Sequence, residues 1–211
     1  AGGAAGGAET FFVRIIGALA AAGVETQAVI RRHPTRAEEL RASGVETLEL
    51  PFGGLADLRT GWHLKRAIAR YRPEVVIAWM NRAARFTPKG AYTLVGSLCG
   101  YYDLKYYRRC DHLIGPTPDV VEHMRRGGWP VARTHYLPNS APEARDAKPI
   151  ARASLATPED APLLLALGRL HRVKGFDLLL AALARLPTAY AWIAGEGPER
   201  ASLESQAREL G

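Results

Sequence analysis

Cysteine is scarce: there are two, Cys99 and Cys110, in no CxxC or Cys/His ligand spacing. That excludes a disulfide scaffold and a structural zinc site, and reads as two reduced, buried thiols in a cytoplasmic protein. Long hydrophobic runs are missing as well. No apolar stretch approaches the roughly 20 residues of a bilayer-spanning helix, and the N-terminus lacks a charged-then-apolar signal pattern. Two common nucleotide signatures are also absent from the start of the chain. Gly2, Gly3, Gly6 and Gly7 are followed by Ala8 and Glu9 rather than by the lysine of a Walker loop, and they do not form GxGxxG.

What is present suits a globular chain: 211 residues, 47% of them hydrophobic, enough for one large domain or one and a half ordinary ones. The net charge is +7, and its placement is uneven. Residues 1–148 hold 21 Lys and Arg against 14 Asp and Glu, whereas residues 149–211 hold 7 against 7. The first part therefore suits an anionic partner, whether nucleic acid, an acidic lipid surface or an anionic acceptor, although a solvated basic face explains the same charges.

Along the chain, short apolar runs alternate with amphipathic ones. Phe12, Ile15, Ile16 and Leu19 mark a first helix behind the glycines. Val24–Ile30 and Val45–Leu50 read as strands around a charged helix near Ala37–Ala42. Leu64, Ala67, Ile68 and Tyr71 form one buried helix face, whose other side carries Lys65, Arg66, Arg70 and Arg72. Those charges suit a solvated face and are compatible with a membrane surface. Pro73 ends this helix, and Glu74–Met80 and Tyr92–Leu98 are further strands. Asn81 and Arg82 fall at the carboxyl end of the first of these, where parallel sheets bind ligands. In YYDLKYYRRCDHLIG four tyrosines accompany Lys105, Arg108 and Arg109, a set able to stack and pair with a sugar phosphate or a base, with half of the rings assigned to packing. His112–Gly115 is a strand in which His112 is structural. Thr117-Pro118-Asp119 caps a helix running to about Arg126, and His135–Leu137 is a strand before Pro138-Asn139-Ser140. From Ala141 to Pro162 the composition shifts to Ala, Pro and charge, as in a linker or the entry to a new unit.

The densest chemistry lies in Leu163–Leu183, LLLALGRLHRVKGFDLLLAAL, the grammar of strand, loop and helix. The loop holds Arg169, Arg172 and Lys174 between Gly168 and Gly175, and the helix from Phe176 aims its N-terminal amides at the same place. Arg offers a planar fork to two phosphate oxygens and Lys a point charge, so the arrangement suits a diphosphate; a basic surface loop after a buried strand is the plainer alternative. A strand at Tyr190–Ala194 follows, then Gly195-Glu196-Gly197-Pro198 and a last helix, Glu199–Leu210.

GRLHRVKGFDLLLAAL resembles the phosphate-binding signature of retaining glycosyltransferases of the GT-B fold, of group 1 and family 4 type. GGAETFF, YLPNS and IAGEGPER resemble, more weakly, that family's first glycine loop, interdomain turn and second nucleotide loop, with Ser140 where glycine is usual. The resemblance implies an α/β protein with two Rossmann-like units, each a doubly wound parallel sheet. Residues 1–148 would form an acceptor-side domain whose first strand is missing, and residues 149–211 the start of a nucleotide-sugar-binding domain. Arg169 and Lys174 are implied as the catalytic pair that neutralises the departing diphosphate, with Gly6, Gly7, Asn139, Gly168, Gly175, Glu196 and Gly197 on the donor. In that family a histidine after the equivalent strand touches the donor sugar. None stands there in this chain, and Tyr101, Tyr102 or Asp103 fall in its place, Tyr101 and Asp103 being assigned to the acceptor side. In that family the second domain continues for three or more further βα units, which carry a pair of glutamates spaced E-x7-E; the chain stops at Gly211 ahead of them, so it reads as a partial sequence, inactive alone, whose donor pocket lacks one wall.

The implied reaction moves a sugar, with retention, from a nucleotide-diphosphate donor to an anionic saccharide or lipid-linked acceptor in cell-surface polysaccharide or lipopolysaccharide synthesis. It requires no metal or cofactor; no Asp-x-Asp pair of the metal-dependent enzymes occurs. The expected partners are the donor, the acceptor and a peripheral membrane contact at the inner face, without nucleic acid. A nucleotide-sugar epimerase of similar architecture and a non-catalytic basic nucleic-acid-binding protein are the alternatives.

Overall fold

The computed structural model describes residues 6–53, 57–140, 146 and 148–211. Gly2, Gly3 and the Ala141–Arg145 part of the expected linker lie outside the described residues. The chain divides into two compact units, Ala1–Pro142 and Glu143–Gly211. In both, every strand pair is parallel.

The first unit begins with α1 (Gly7–Ala21), followed by β1 (Gln27–Arg31), α2 (Pro34–Ala42), β2 (Glu46–Leu50), α3 (Leu58–Tyr71), β3 (Val75–Trp79) and α4 (Met80–Phe86). It continues through β4 (Thr93–Ser97), β5 (His112–Gly115), α5 (Pro118–Arg126) and β6 (Thr134–Tyr136). The helix starts are chemically marked. The His33 ring accepts from the Arg36 N–H ahead of Pro34, and Thr117 Oγ1 accepts from the Val120 N–H ahead of Pro118. Asp57 accepts from the Thr60 N–H, the Thr60 hydroxyl and the Gly53 N–H. These side chains satisfy amides that the first helical turn leaves free.

Phe11, Phe12 and Ile16 of α1 pack with Ala28 and Ile30 of β1, Leu40 of α2 and Trp79 of β3. The two phenylalanine rings meet Trp79 edge-on at 5.8 and 5.5 Å. On the other face of β1 and β2, Val29 and Leu48 meet Leu64 and Ile68 of α3. A second core gathers Leu94, Leu98, Tyr107, Cys110, Leu113 and Met124.

Three sequence expectations need correction. First, Glu74–Met80 is not strand to its end. β3 stops at Trp79, and Met80, at φ 61°, turns the chain into α4, an element too short and too charged to show a periodicity. Second, three of the four tyrosines after β4 are packing residues, not half of them. Tyr107 is fully buried, and Tyr102 and Tyr106 lie against the same core, which leaves Tyr101 exposed. Third, the strands of the first unit form two ladders, β1-β2 and β3-β4-β5-β6, rather than one continuous sheet. Among the described residues β1 and β3 each have one strand partner, and a cavity of about 820 Å³ opens between them.

In the second unit, β7 (Leu163–Leu167) and β8 (Tyr190–Ala194) pair in register, with α6 (Phe176–Leu183) between them in sequence and α7 (Arg200–Leu210) after them. Ala166 and Ile193 pack on Leu170, Phe176, Leu180 and Leu203, so the helices cover one face. On the other, Leu165 is 62% and Leu167 70% exposed. The Ala- and Pro-rich stretch from Arg152 onward belongs to this unit rather than to a linker. Arg152 donates to the Ala161 and Pro158 carbonyls, and Trp192 Nε1 donates to Thr157 Oγ1 at 2.9 Å.

Candidate functional site

The expected phosphate loop follows β7. Gly168, Arg169 and Leu170 leave the strand, a 3-10 turn spans Arg172–Lys174, and Gly175 takes φ 67°, ψ 29° before α6 begins. That left-handed conformation is one glycine adopts without the Cβ penalty, so Gly175 is required by the turn. Leu170 anchors the loop by burying its side chain against Phe176 and Leu203. His171 caps the short turn by accepting from the Val173 N–H.

The loop is also tied to the one after β8. The Gly168 N–H donates to the Ala194 carbonyl at 3.0 Å, the Leu170 N–H to Glu196 at 2.9 Å, and the Glu199 N–H to Leu170 at 3.1 Å. The parallel ladder thus continues past both strands, which brings Gly168, Arg169, Glu196 and Gly197 together. The approach is so close that a Cβ on Gly195 would collide with the Gly168 carbonyl and one on Gly197 with the Leu170 carbonyl. A Cβ on Gly168, by contrast, would stand 3.5 Å from the Phe176 ring, an ordinary contact. The glycines of GEGPE therefore have a packing reason of their own, which their spacing in sequence does not reveal.

Arg169, Arg172 and Lys174 are exposed at the mouth of α6, and no carboxylate pairs with any of them among the described residues. Arg200 behaves differently. It binds Glu196 at 2.6 Å and Glu204 at 3.1 Å, which holds the Glu196 carboxyl below the usual carboxylate range and raises the guanidinium's own pKa. Glu196 is thus engaged within its own helix entrance, whereas the three loop cations are not.

In the first unit, Gly6 and Gly7 open α1. Glu9, three residues past the Gly6 cap, is buried, and its Oε2 comes within 2.7 Å of where a Gly6 Cβ would stand. This is the geometry of a glutamate folded back on its own helix start, and it explains why Gly6 lacks a side chain. Glu9 also lies in electrostatic reach of Cys99 and Tyr102, just past β4, where burial pushes both groups up. The GGAE turn and the YYD segment therefore meet at the carboxyl edge of the parallel strands. Sequence reasoning missed Glu9 and Cys99, whose only signal was their place after a glycine turn and after a strand.

The Tyr101 hydroxyl donates to Asp119, which raises the tyrosine's pKa, while the Lys105 ammonium holds Asp103 below the usual carboxylate range at 2.5 Å. Asp103 also caps the 3-10 turn Leu104–Tyr107. Asn139 is exposed in the loop after β6, next to Ser140, whose carbonyl accepts from Arg14. Arg82 donates to the Phe52 carbonyl at 3.2 Å. Both cysteines are free, with burial pushing the Cys110 thiol up to about 12. Among the described residues no group of three His, Cys, Asp or Glu could hold a metal ion, and no helix is long and apolar enough to cross a membrane.

Two parallel α/β units in succession define the GT-B class of glycosyltransferase fold, and solved structures agree. A glycosyltransferase from Rickettsia africae ESF-5 superposes with a TM-score of 0.77 at 16% identity, over 99% of this chain and 62% of that one. Anabaena Alr3699/HepE, solved in complex with UDP and glucose, superposes with a TM-score of 0.72 at 18% identity, over 98% and 63%. The chain belongs to glycosyltransferase family 4, whose family model matches residues 5–145, and glycosyl transferases group 1 matches residues 147–211. Among curated relatives, the lipopolysaccharide core biosynthesis glycosyltransferases LpsD and LpsE of Rhizobium meliloti (strain 1021) are 37% and 36% identical over 99% and 98% of this chain. The chain spans 61% of the length of each.

Proposed function

We propose that the whole protein transfers a sugar, with retention, from a nucleotide-diphosphate donor to a saccharide or lipid-linked acceptor during lipopolysaccharide core assembly. The carrying observation is the set of three cations, Arg169, Arg172 and Lys174, with no carboxylate partner among the described residues, on a loop pinned at Gly168 and Leu170 and ending at the mouth of α6. Sugar departure concentrates negative charge on the leaving diphosphate while an oxocarbenium-like centre forms. Arg169 and Lys174 neutralise that charge, and the α6 amides add donors that need no reorganisation. In this reading no metal is required, because the loop itself supplies the countercharge. In the second unit Gly168, Gly175, Glu196 and Gly197 are assigned to the donor, and Gly6, Gly7 and Asn139 of the first unit keep the donor role that the family resemblance gives them. Tyr101 and Asp103 face the acceptor. The role of LpsD and LpsE in lipopolysaccharide core biosynthesis supports the acceptor class, and the UDP and glucose in the Anabaena neighbour support a nucleotide-sugar donor.

The membrane contact is assigned to α3. Trp62 is 59% exposed with the Arg66 guanidinium 5.7 Å from its ring, beside exposed Lys65 and Arg70. An aromatic ring among cations suits an anionic headgroup layer.

The test uses the full-length enzyme. Lys174→Ala lowers turnover by about 10²–10³-fold, the scale of losing one transition-state donor, with an unchanged circular dichroism spectrum. Unaltered turnover removes the assigned role, and a loss of turnover on treatment with EDTA removes the metal-free mechanism.

A further inference from the structure

The histidines of this chain keep different company. His33 and His171 accept from backbone amides at the starts of a helix and a turn, His63 meets the Trp62 ring edge-on, and His123 Nε2 lies 3.1 Å from the Tyr102 carbonyl. His112 and His135 meet each other instead, Nδ1 to Nε2 at 3.0 Å, with ring centroids 5.2 Å apart and planes tilted by 37°. Strand pairing brings them together. In the parallel register of β5 and β6, Leu113 lies beside Thr134 and Ile114 beside His135. Side chains alternate faces along a strand, so both imidazoles stand opposite the face on which Leu113 packs against Val120 and Met124 of α5. His112 is half-buried and His135 exposed, so the contact is open to solvent.

Between two neutral imidazoles at this distance one nitrogen donates its hydrogen and the other accepts, so a single proton occupies the contact. A divalent transition ion can take its place, because neutral imidazole ligates through either ring nitrogen. With metal–nitrogen bonds of about 2.0–2.1 Å, the 3.0 Å separation closes an angle at the metal of about 90–100°. A tetrahedral site would hold the two nitrogens roughly 3.3–3.4 Å apart. The narrower angle belongs to neighbouring positions of a tetragonal shell, the geometry of Cu²⁺ and Ni²⁺. Turning each lone pair from its partner toward the ion takes rotation about χ2, a broad torsion in histidine. Asp111, next to His112, is committed elsewhere: its carboxylate accepts from the Leu94 N–H at 2.9 Å and pairs with Lys89 at 3.6 Å. The chain therefore supplies two ligands and water the others, which agrees with the lack of any three-residue ligand group among the described residues.

We propose that His112 Nδ1 and His135 Nε2 form a two-histidine chelate for a divalent transition ion of tetragonal preference, Cu²⁺ or Ni²⁺, which clasps β5 to β6. β6 is three residues long and stands at the end of its ladder, so an ion bridging it to β5 ties down a short strand. His112 opens β5 and thus lies at the amino edge of the ladder, whereas Glu9 and the Tyr101–Asp103 segment meet at the carboxyl edge. The ion acts on the stability of the first unit and takes no part in sugar transfer, so the proposal stands apart from the donor chemistry.

The experiment titrates the 211-residue chain, freed of metal, with Ni²⁺, Zn²⁺ and Mg²⁺ by calorimetry, beside His112→Gln and His135→Gln variants whose folding is checked by circular dichroism. The parent binds a single Ni²⁺ more tightly than Zn²⁺ and does not bind Mg²⁺. Each substitution weakens the Ni²⁺ site about tenfold or more, because the remaining imidazole has lost the second ligand held beside it. Electron paramagnetic resonance of the Cu²⁺-loaded parent, which depends on no variant, shows nitrogen coupling from two imidazoles. Ni²⁺ affinity unchanged in either variant overturns the proposal, the ion then sitting at another histidine or at Cys99. So does Zn²⁺ bound more tightly than Ni²⁺, and so does a Cu²⁺ spectrum with coupling from one nitrogen or none.

Discussion

Gly195 and Gly197 show how a single hydrogen in place of a methyl group can govern a site. Each faces a carbonyl of the loop after β7 at a distance that leaves no room for a Cβ. Gly197→Ala must push the two loops apart, and we expect a loss of about 1–3 kcal/mol in the second unit, the cost of overpacking a closed contact. Gly168→Ala meets only a ring edge at 3.5 Å and changes stability by less than about 1 kcal/mol. Urea denaturation followed by amide exchange in β7 and β8 distinguishes the two variants. The residue scale also separates the cations: Arg200 is committed to Glu196 and Glu204, whereas Lys174 has no carboxylate among the described residues. Added inorganic pyrophosphate should therefore stabilise the unsubstituted chain and leave the midpoint of Lys174→Ala less changed, as read by thermal shift.

At the scale of elements, the caps carry predictions. Thr117→Ala removes the side chain that holds the Val120 N–H and should lower stability by about 1 kcal/mol in thermal or urea unfolding. Asp57 caps α3 and is held below its ordinary value, chiefly by the Thr60 hydroxyl and amide. A carboxyl lowered in the folded state contributes stability that is present above the unfolded value, near about 4, and lost as pH falls through the still lower folded value. An acid titration of stability should therefore fall less steeply below about pH 4 in Asp57→Asn than in the parent chain. The same caps made much of the fold legible. Thr117-Pro118-Asp119 placed α5 at Pro118–Arg126, and β5, β7 and β8 matched their apolar runs end to end. α4 was not legible, because seven residues of MNRAARF hold neither a cap side chain nor an apolar stripe, and its start depends on Met80 adopting positive φ. In the candidate site, the cationic loop was readable from residue type and spacing. Its backbone pairing to Gly195–Gly197, and the meeting of Glu9 with Cys99, were not, since both arise from tertiary approach.

On the scale of the whole molecule, the two units differ in how much core they hold. Among the described residues the first holds six strands and two large apolar clusters, whereas the second has one two-stranded ladder with Leu165 and Leu167 bare on one face. Calorimetry of the 211-residue chain should show the second unit melting first, as a separate low-temperature transition, because two strands and two helices bury little apolar surface. Liposome sedimentation of the full-length enzyme should show retention by anionic vesicles that weakens with Trp62→Ala and with salt. The interlocked loops also constrain how such chains can diverge. A third or so of the residues suffices to relate this chain to LpsD, yet inserting one amino acid between Ala194 and Pro198 would throw Glu196 out of step with Leu170 and drag Arg169 with it. When many homologues are aligned, length variation should gather elsewhere and leave those two short intervals without gaps, a molecular ruler kept to size while the letters around it drift.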